Sequence, residues 1–197
     1  MLEKEVSDIK NKALKAQIKP HFIFNMLANI QDQYHQKLSS GDDALAKFSK
    51  HLRLNIDSEY KDLVSFEEEL DNIQNYFDME NIRFDNKLTL IYDIDYLDFK
   101  LPILSLQPLI ENAVKYAQTE DKIDGYIQIK SYEENGKIIV EINDNGIGFD
   151  KSAIEANCTG IRNISKRLEY SLDATVVIDS KQGEGTTIKI VIPKQKD

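Results

Sequence analysis

The sequence predicts an α+β chain, a helical hairpin followed by a two-layer α/β sandwich with a mixed sheet and its helices on one face. Three observations predict it. Apolar residues keep a helical spacing through residue 57, the period changes to alternation at Leu88, and two later pairs of alternating runs are each joined by a short glycine-bearing stretch. The 197 residues suit one ordinary domain plus a shorter helical element, and 41% hydrophobic content can fill a core.

Leu2, Val6, Ile9, Ala13 and Ala16 follow a heptad-like 4, 3, 4, 3 spacing and read as a helix seeking a partner helix. An amphipathic helix lying on its own domain carries the same pattern over so short a run. After the break Ser39-Ser40-Gly41-Asp42-Asp43, Leu45, Phe48, Leu52 and Ile56 share one helical face, so residues 10–57 read as a hairpin. The domain boundary falls near 58–64. Ser65 and Glu68 form a capping box opening a helix with Leu70, Ile73 and Phe77 on its buried face. Leu88, Leu90, Tyr92 and Ile94 then lie on one side of a strand. Pro102 introduces an apolar helix reaching about Ala117, and Pro108 inside it implies a kink or a late start. YIQIKSY and KIIVEIN form one predicted hairpin, ATVVIDS and TTIKIVI another, with a helix near Ile161 to Tyr170 between them.

Several function classes are excluded. No apolar run approaches the ~20 residues that cross a bilayer, and the start MLEKEVSDIK is too charged for a secretory signal, so a soluble intracellular segment is expected. The single Cys158 forms no internal disulfide, and three scattered His with one Cys make no structural zinc site. A metal would be held by oxygen ligands or by a ligand's phosphates. Residues 1–37 carry a local +2 while the whole chain stands at −9, a balance that repels nucleic acid but leaves a nucleotide admissible.

Three glycine loops lie in the second part: Asp144-Asn145-Gly146-Ile147-Gly148, Cys158-Thr159-Gly160 and Gly183-Glu184-Gly185-Thr186-Thr187. Glycine lets backbone approach a ligand, and the helix start after Gly160 offers N–H groups to phosphate. Each loop taken alone is also an ordinary turn. Within the helix ending at Ala117, Glu111 and Asn112 interrupt apolar residues, with Lys115 and Tyr116 one turn on. An Asn carbonyl can join phosphate oxygens around Mg²⁺, and Lys115 can reach a phosphate, though an exposed polar face explains the same residues. In the first part Gln17, His21 and Asn25 share a helical face just after Pro20. A neutral imidazole there can accept a phosphoryl group near pH 7, or can simply be a surface residue.

The order of these motifs resembles one family. LKAQIKPHFIFNMLANI resembles the phosphoacceptor helix of LytS-type sensor histidine kinases. LQPLIENAVKYA, INDNGIGFD, GIRNISKRL and GEGTTIKIVIP resemble, in order, the N box, G1 box, lid-helix region and G2 box of their ATP-binding domain. The resemblance spans residues 12–193. It implies a Bergerat (GHKL) fold, shared with gyrase and MutL, behind a helical hairpin that builds a dimeric four-helix bundle. The implied division is 1–16 as signal helix, 17–61 as dimerisation and phosphotransfer helices, and 62–197 as catalytic domain.

The resemblance further implies His21 as phosphoacceptor and Asn112 as Mg²⁺ ligand, with Lys115 and Tyr116 near the nucleotide. Asp144 would accept the adenine amino group above Gly146 and Gly148. Gly160 and Ile161 would contact phosphates, supported by Arg162, Asn163 and Arg167, while Gly183, Gly185 and Thr186 would close the adenine side. Lys19, Cys158 and Tyr116 depart from the Asn, Gly and His of many relatives. Phe22 stands where other classes of histidine kinase place an acid, which leaves Glu111 as the candidate base. The implied reaction is Mg²⁺-dependent transfer from ATP to His21 and then to an Asp of a response regulator. Residues 57–64 would be the hinge, and the chain would be the cytoplasmic portion of a membrane-tethered bacterial sensor. A serine kinase of the anti-sigma type and a non-catalytic ATP-sensing dimer are the alternatives.

Overall fold

The computed structural model describes residues 27–28, 30–31, 34–35, 40–57, 63–83, 88–117, 125–149 and 159–194. His21, the heptad at 2–16, the 58–62 linker and Cys158 lie outside the described residues. The chain divides into two compact units, residues 1–59 and 60–197.

In the first unit α1 spans Ser40–Asp57. Gly41, Asp42 and Asp43, expected as a break, form its first turn instead. The acids suit the positive end of the helix dipole, and the Tyr34 hydroxyl donates to the Asp42 carboxylate. Phe48 is buried, whereas Leu45, expected on the same face, is exposed.

The second unit opens with β1 (Leu63–Ser65) and α2 (Phe66–Arg83). The Ser65 half of the predicted capping box forms: Ser65 Oγ accepts from Glu68 N at 3.1 Å, satisfying a helix-start donor that would otherwise be orphaned. Ile73 and Phe77 are buried as expected, and Leu70 is half-buried. Asn81 then clamps the following strand, donating to Leu88 O at 3.0 Å and accepting from Leu88 N at 3.1 Å.

That strand, β2 (Leu88–Ile94), runs parallel to β4 at the sheet edge, so Tyr92 stays partly exposed. The three-residue β3 (Lys100–Pro102) pairs antiparallel with β1, a small second sheet that periodicity did not predict. Of the two options Pro108 implied, the late start holds. Pro102 ends β3, and α3 begins at Gln107 (Gln107–Ala117), which puts Pro108 in the first turn, where a missing N–H costs nothing.

The remaining elements are β4 (Gly125–Glu134), β5 (Lys137–Asp144), α4 (Thr159–Leu172), β6 (Thr175–Lys181) and β7 (Gly185–Pro193). The β4–β5 turn is Asn135-Gly136 with φ of 53° and 71°, the paired positive values of a tight hairpin turn. α4 stops at Asp173, φ 51°, whose N donates to Glu169 O at 2.9 Å while Ala174 N donates to Leu168 O at 3.4 Å. The five-stranded sheet has the order β2-β4-β5-β7-β6, with β2 parallel to β4 and every other pair antiparallel. One face of β4 and β7 (Ile127, Ile129, Ile188, Ile190, Ile192) is buried with Leu109 and Ile110 of α3 and Leu168 of α4. Each such side chain contributes roughly 1.5–3 kcal/mol by leaving water. The other face carries an in-register row of alternating charge, Asp93, Lys130, Glu141 and Lys189, with Lys189 Nζ 3.0 Å from Glu141.

Candidate functional site

The site forms where α3, the end of β5 with the loop after it, the start of α4 and the start of β7 converge. Their side chains enclose a cavity of about 310 Å³. Leu109, Ile142, Ile147, Phe149, Ile161 and Ile188 make its apolar walls, and Asn112, Tyr116, Asp144 and Thr186 are its side chains with polar groups. A mostly apolar cleft with few polar groups suits a flat aromatic ligand.

The loop after β5 is pinned from three sides. Asp144 Oδ1 accepts from Gly146 N at 2.8 Å, Ile147 N donates to Tyr116 O at 3.1 Å, and Gly183 N donates to Ile147 O at 2.6 Å. These bonds draw main chains so close that side chains are excluded. A Cβ on Gly148, whose φ is 56°, would lie 2.0 Å from Lys181 O, and one on Gly185, φ 94°, would lie 2.1 Å from Asp144 O. At Gly146 it would lie 2.4 Å from Tyr116 O. At Gly160 and Gly183 a Cβ would meet nothing within 4 Å.

Beside the cavity, Glu69 of α2 is fully buried and accepts from Leu104 N at 2.5 Å and from Leu106 N at 3.0 Å. It thereby satisfies donors at the start of α3. Arg167 of α4 reaches the same turn, where its Nη2 donates to Ile103 O at 2.5 Å. Burial pushes the Glu69 carboxyl above the usual carboxylate range, opposed by those N–H groups and by the Arg167 charge. Burial also lowers Arg167, opposed by Glu69. For each of them desolvation outweighs the attraction of the other.

Residues 9–88 match the family described as histidine kinase, and residues 102–196 match the family described as histidine kinase-, DNA gyrase B- and HSP90-like ATPase. The uncharacterized protein YwpD of Bacillus subtilis is 31% identical over 195 residues, covering 91% of this chain and 68% of YwpD. The sensor protein LytS of Bacillus cereus is 30% identical over 207 residues, covering 98% of this chain and 35% of LytS. The chain belongs to the LytS-type sensor histidine kinases. This histidine kinase chain therefore spans about a third of the length of that LytS relative. The solved catalytic domain of histidine kinase ThkA shares its fold, with a TM-score of 0.52 at 15% identity over 68% of this chain and 97% of that domain. The two-layer α+β architecture is thus a histidine-kinase catalytic fold.

In this kinase Asn112, Tyr116, Asp144, Gly148, Gly160, Ile161 and Thr186, named from sequence, all line the one cavity. Gly146, Gly183 and Gly185 shape the loops around it. Other residues named with them stand outside the lining. Lys115 Nζ donates to the Tyr116 hydroxyl at 3.3 Å, and Glu111 accepts from Gln107 Nε2 at 3.1 Å. Arg162 and Asn163 are exposed. Arg167 turns away to Ile103, so its guanidinium braces the β3–α3 turn rather than facing the cavity. Sequence reasoning missed Phe149 and Ile147 as walls, and it missed Ser180 and Glu69. For Glu69 a signal existed, because it lies three residues after Phe66 and four before Ile73 on the buried face of α2.

Proposed function

We propose that this chain is the catalytic core of a two-component sensor that transfers the γ-phosphoryl group of ATP to His21 and then to an aspartate of a response regulator. The observation that carries the reading is that one and the same cavity is lined by Asn112, Asp144, Gly160 and Thr186, in a chain whose two matched families are a histidine kinase and an ATPase. The Asp144 carboxylate accepts from the adenine amino group. Gly146, Gly148 and Gly185 let the main chain pass around the base, and the apolar walls exclude water from it. The first turn of α4, beginning at Thr159, presents its N–H groups and the positive helix end to the phosphates.

Among the described residues no group of three or more His, Cys, Asp or Glu could hold a metal alone. The neutral Asn112 carbonyl fits a Mg²⁺ whose other ligands are phosphate oxygens and water. Bound there, Mg²⁺ neutralises charge on the transferring group. Glu111, next to Asn112, is the proposed base for the His21 imidazole. The reading also carries a homodimer built by residues 17–61, a hinge around 57–64, and a parent protein tethered to the membrane with this part in the cytoplasm. Among the described residues no helix is long and apolar enough to cross a membrane.

Titration calorimetry with Mg²⁺-ATP tests the site. Asp144→Asn and Asn112→Asp are each expected to weaken binding roughly 10–100-fold, the scale of one hydrogen bond to a charged group. Unchanged affinity in both variants would refute the site.

A further inference from the structure

Ser180 lies just behind the cavity, at the end of β6, and its side chain is buried. Its hydroxyl oxygen makes three contacts: Phe149 N at 3.0 Å, Gly185 O at 3.1 Å and Thr186 Oγ1 at 3.0 Å. A serine hydroxyl has one proton to donate and two lone pairs. The Phe149 N–H can only donate and the Gly185 carbonyl can only accept. The Ser180 proton therefore goes to Gly185 O, and one lone pair takes Phe149 N–H. All three contacts are hydrogen bonds in just one arrangement, with the Thr186 hydroxyl donating to Ser180.

This arrangement has a chemical consequence inside the cavity. Thr186 lines it and sits directly opposite Asp144 in the β5–β7 register. With its proton committed to Ser180, Thr186 faces a ligand as an acceptor, beside a carboxylate that also only accepts. We propose that Ser180 is a specificity-determining positioning residue, which orients the Thr186 hydroxyl so that the facing Asp144–Thr186 pair presents acceptors alone and selects a 6-amino purine over a 6-oxo purine. The 6-amino group supplies two N–H donors, whereas a 6-oxo base offers these acceptors only its N1–H and leaves its oxygen facing them with no donor. The inference rests on the cavity being the ATP site and adds to that reading the residue that sets the polarity of one wall.

The test compares ADP with inosine diphosphate, its 6-oxo counterpart, by titration calorimetry on the full chain. In Ser180→Ala the Thr186 hydroxyl regains its proton and can donate to a 6-oxo oxygen. The ratio of ADP to inosine diphosphate affinity is expected to fall about 3–10-fold, the scale of one neutral hydrogen bond. In Thr186→Val the ratio falls similarly, and adding Ser180→Ala to it changes the ratio no further. A Ser180→Ala protein that weakens both ligands equally would overturn the proposal, because a loop brace alone moves affinity and not selectivity. So would a Ser180→Ala effect on the ratio that persists in the Thr186→Val background. Should Ser180→Ala fail to fold, Thr186→Val with its ratio unchanged is also contrary. Absence of ADP binding by the unmodified chain would remove the ATP reading itself, whereas ADP binding with an unaltered ratio in Ser180→Ala removes the Ser180 role alone.

Discussion

Gly148→Ala is expected to reduce nucleotide affinity by two orders of magnitude or more. The added methyl would sit 2.0 Å from Lys181 O and 2.8 Å from Gly185 O, both backbone atoms that cannot swing aside as a side-chain tip can. Its φ of 56° adds about 1–2 kcal/mol for any residue with a Cβ. The loop after β5 and the β6–β7 turn must therefore separate, which breaks the Gly183 N to Ile147 O bond and moves the Ile147 and Phe149 walls. Gly160→Ala is the internal control for the fold, because its Cβ meets nothing within 4 Å and alanine favours a helix by about 1 kcal/mol over glycine. Calorimetry with ADP and urea unfolding of both variants make the comparison. Near-normal ADP affinity in Gly148→Ala would mean that the two loops do not need their close approach.

Arg167→Met is expected to destabilise the second unit by about 2–4 kcal/mol, below or within the range for breaking a buried charge pair because the guanidinium is half-buried. The loss has two parts. Ile103 O loses its donor, and buried Glu69 loses the positive charge that opposes its desolvation. The pH dependence follows in sign. Burial raises the Glu69 carboxyl above its unfolded value, so the folded chain holds a proton that the unfolded chain has released, and stability falls as pH rises through that interval. Removing Arg167 raises the carboxyl further. The penalty of Arg167→Met is therefore largest at neutral pH and shrinks as pH falls toward the ordinary carboxylate range. Urea midpoints at pH 7 and pH 5 check this, and a penalty growing toward pH 5 would contradict the assignment. Glu69→Gln combined with Arg167→Met is expected to recover part of the loss at pH 7, because no uncompensated charge then stays buried.

What the sequence revealed and what it hid divide along range. The Ser65 cap and the Asn135-Gly136 turn are local chemistry, and both form where the residues place them. β1 and β3, three residues each, are too short for any period to register, and their pairing closes a separation of 37 residues. The Gly41-Asp42-Asp43 stretch reads as a breaker until the helix dipole is considered, since acids and glycine are tolerated in a first turn. The glycine loops were ambiguous singly. They become one site because the sheet order brings the end of β5 beside the start of β7, which places Asp144 opposite Thr186. Arg167 shows the converse. Its position in a matching motif suggested a phosphate contact, but its phase on α4 turns it toward Ile103. Ser180 carries no pattern at all, for what sets it apart is three hydrogen bonds, one to the loop after β5 and two to the start of β7.

In the proposed reaction the cavity's nucleotide phosphorylates this same chain on His21. Incubation of the purified chain with γ-labelled ATP and Mg²⁺, followed by mapping of the labelled residue, tests it most directly. The expected result is a label that is labile in acid and stable in base, that maps to His21, and that is absent from His21→Gln while ATP affinity measured by calorimetry is unchanged. A label that persists in His21→Gln, or one stable in acid as a serine phosphate is, would contradict it.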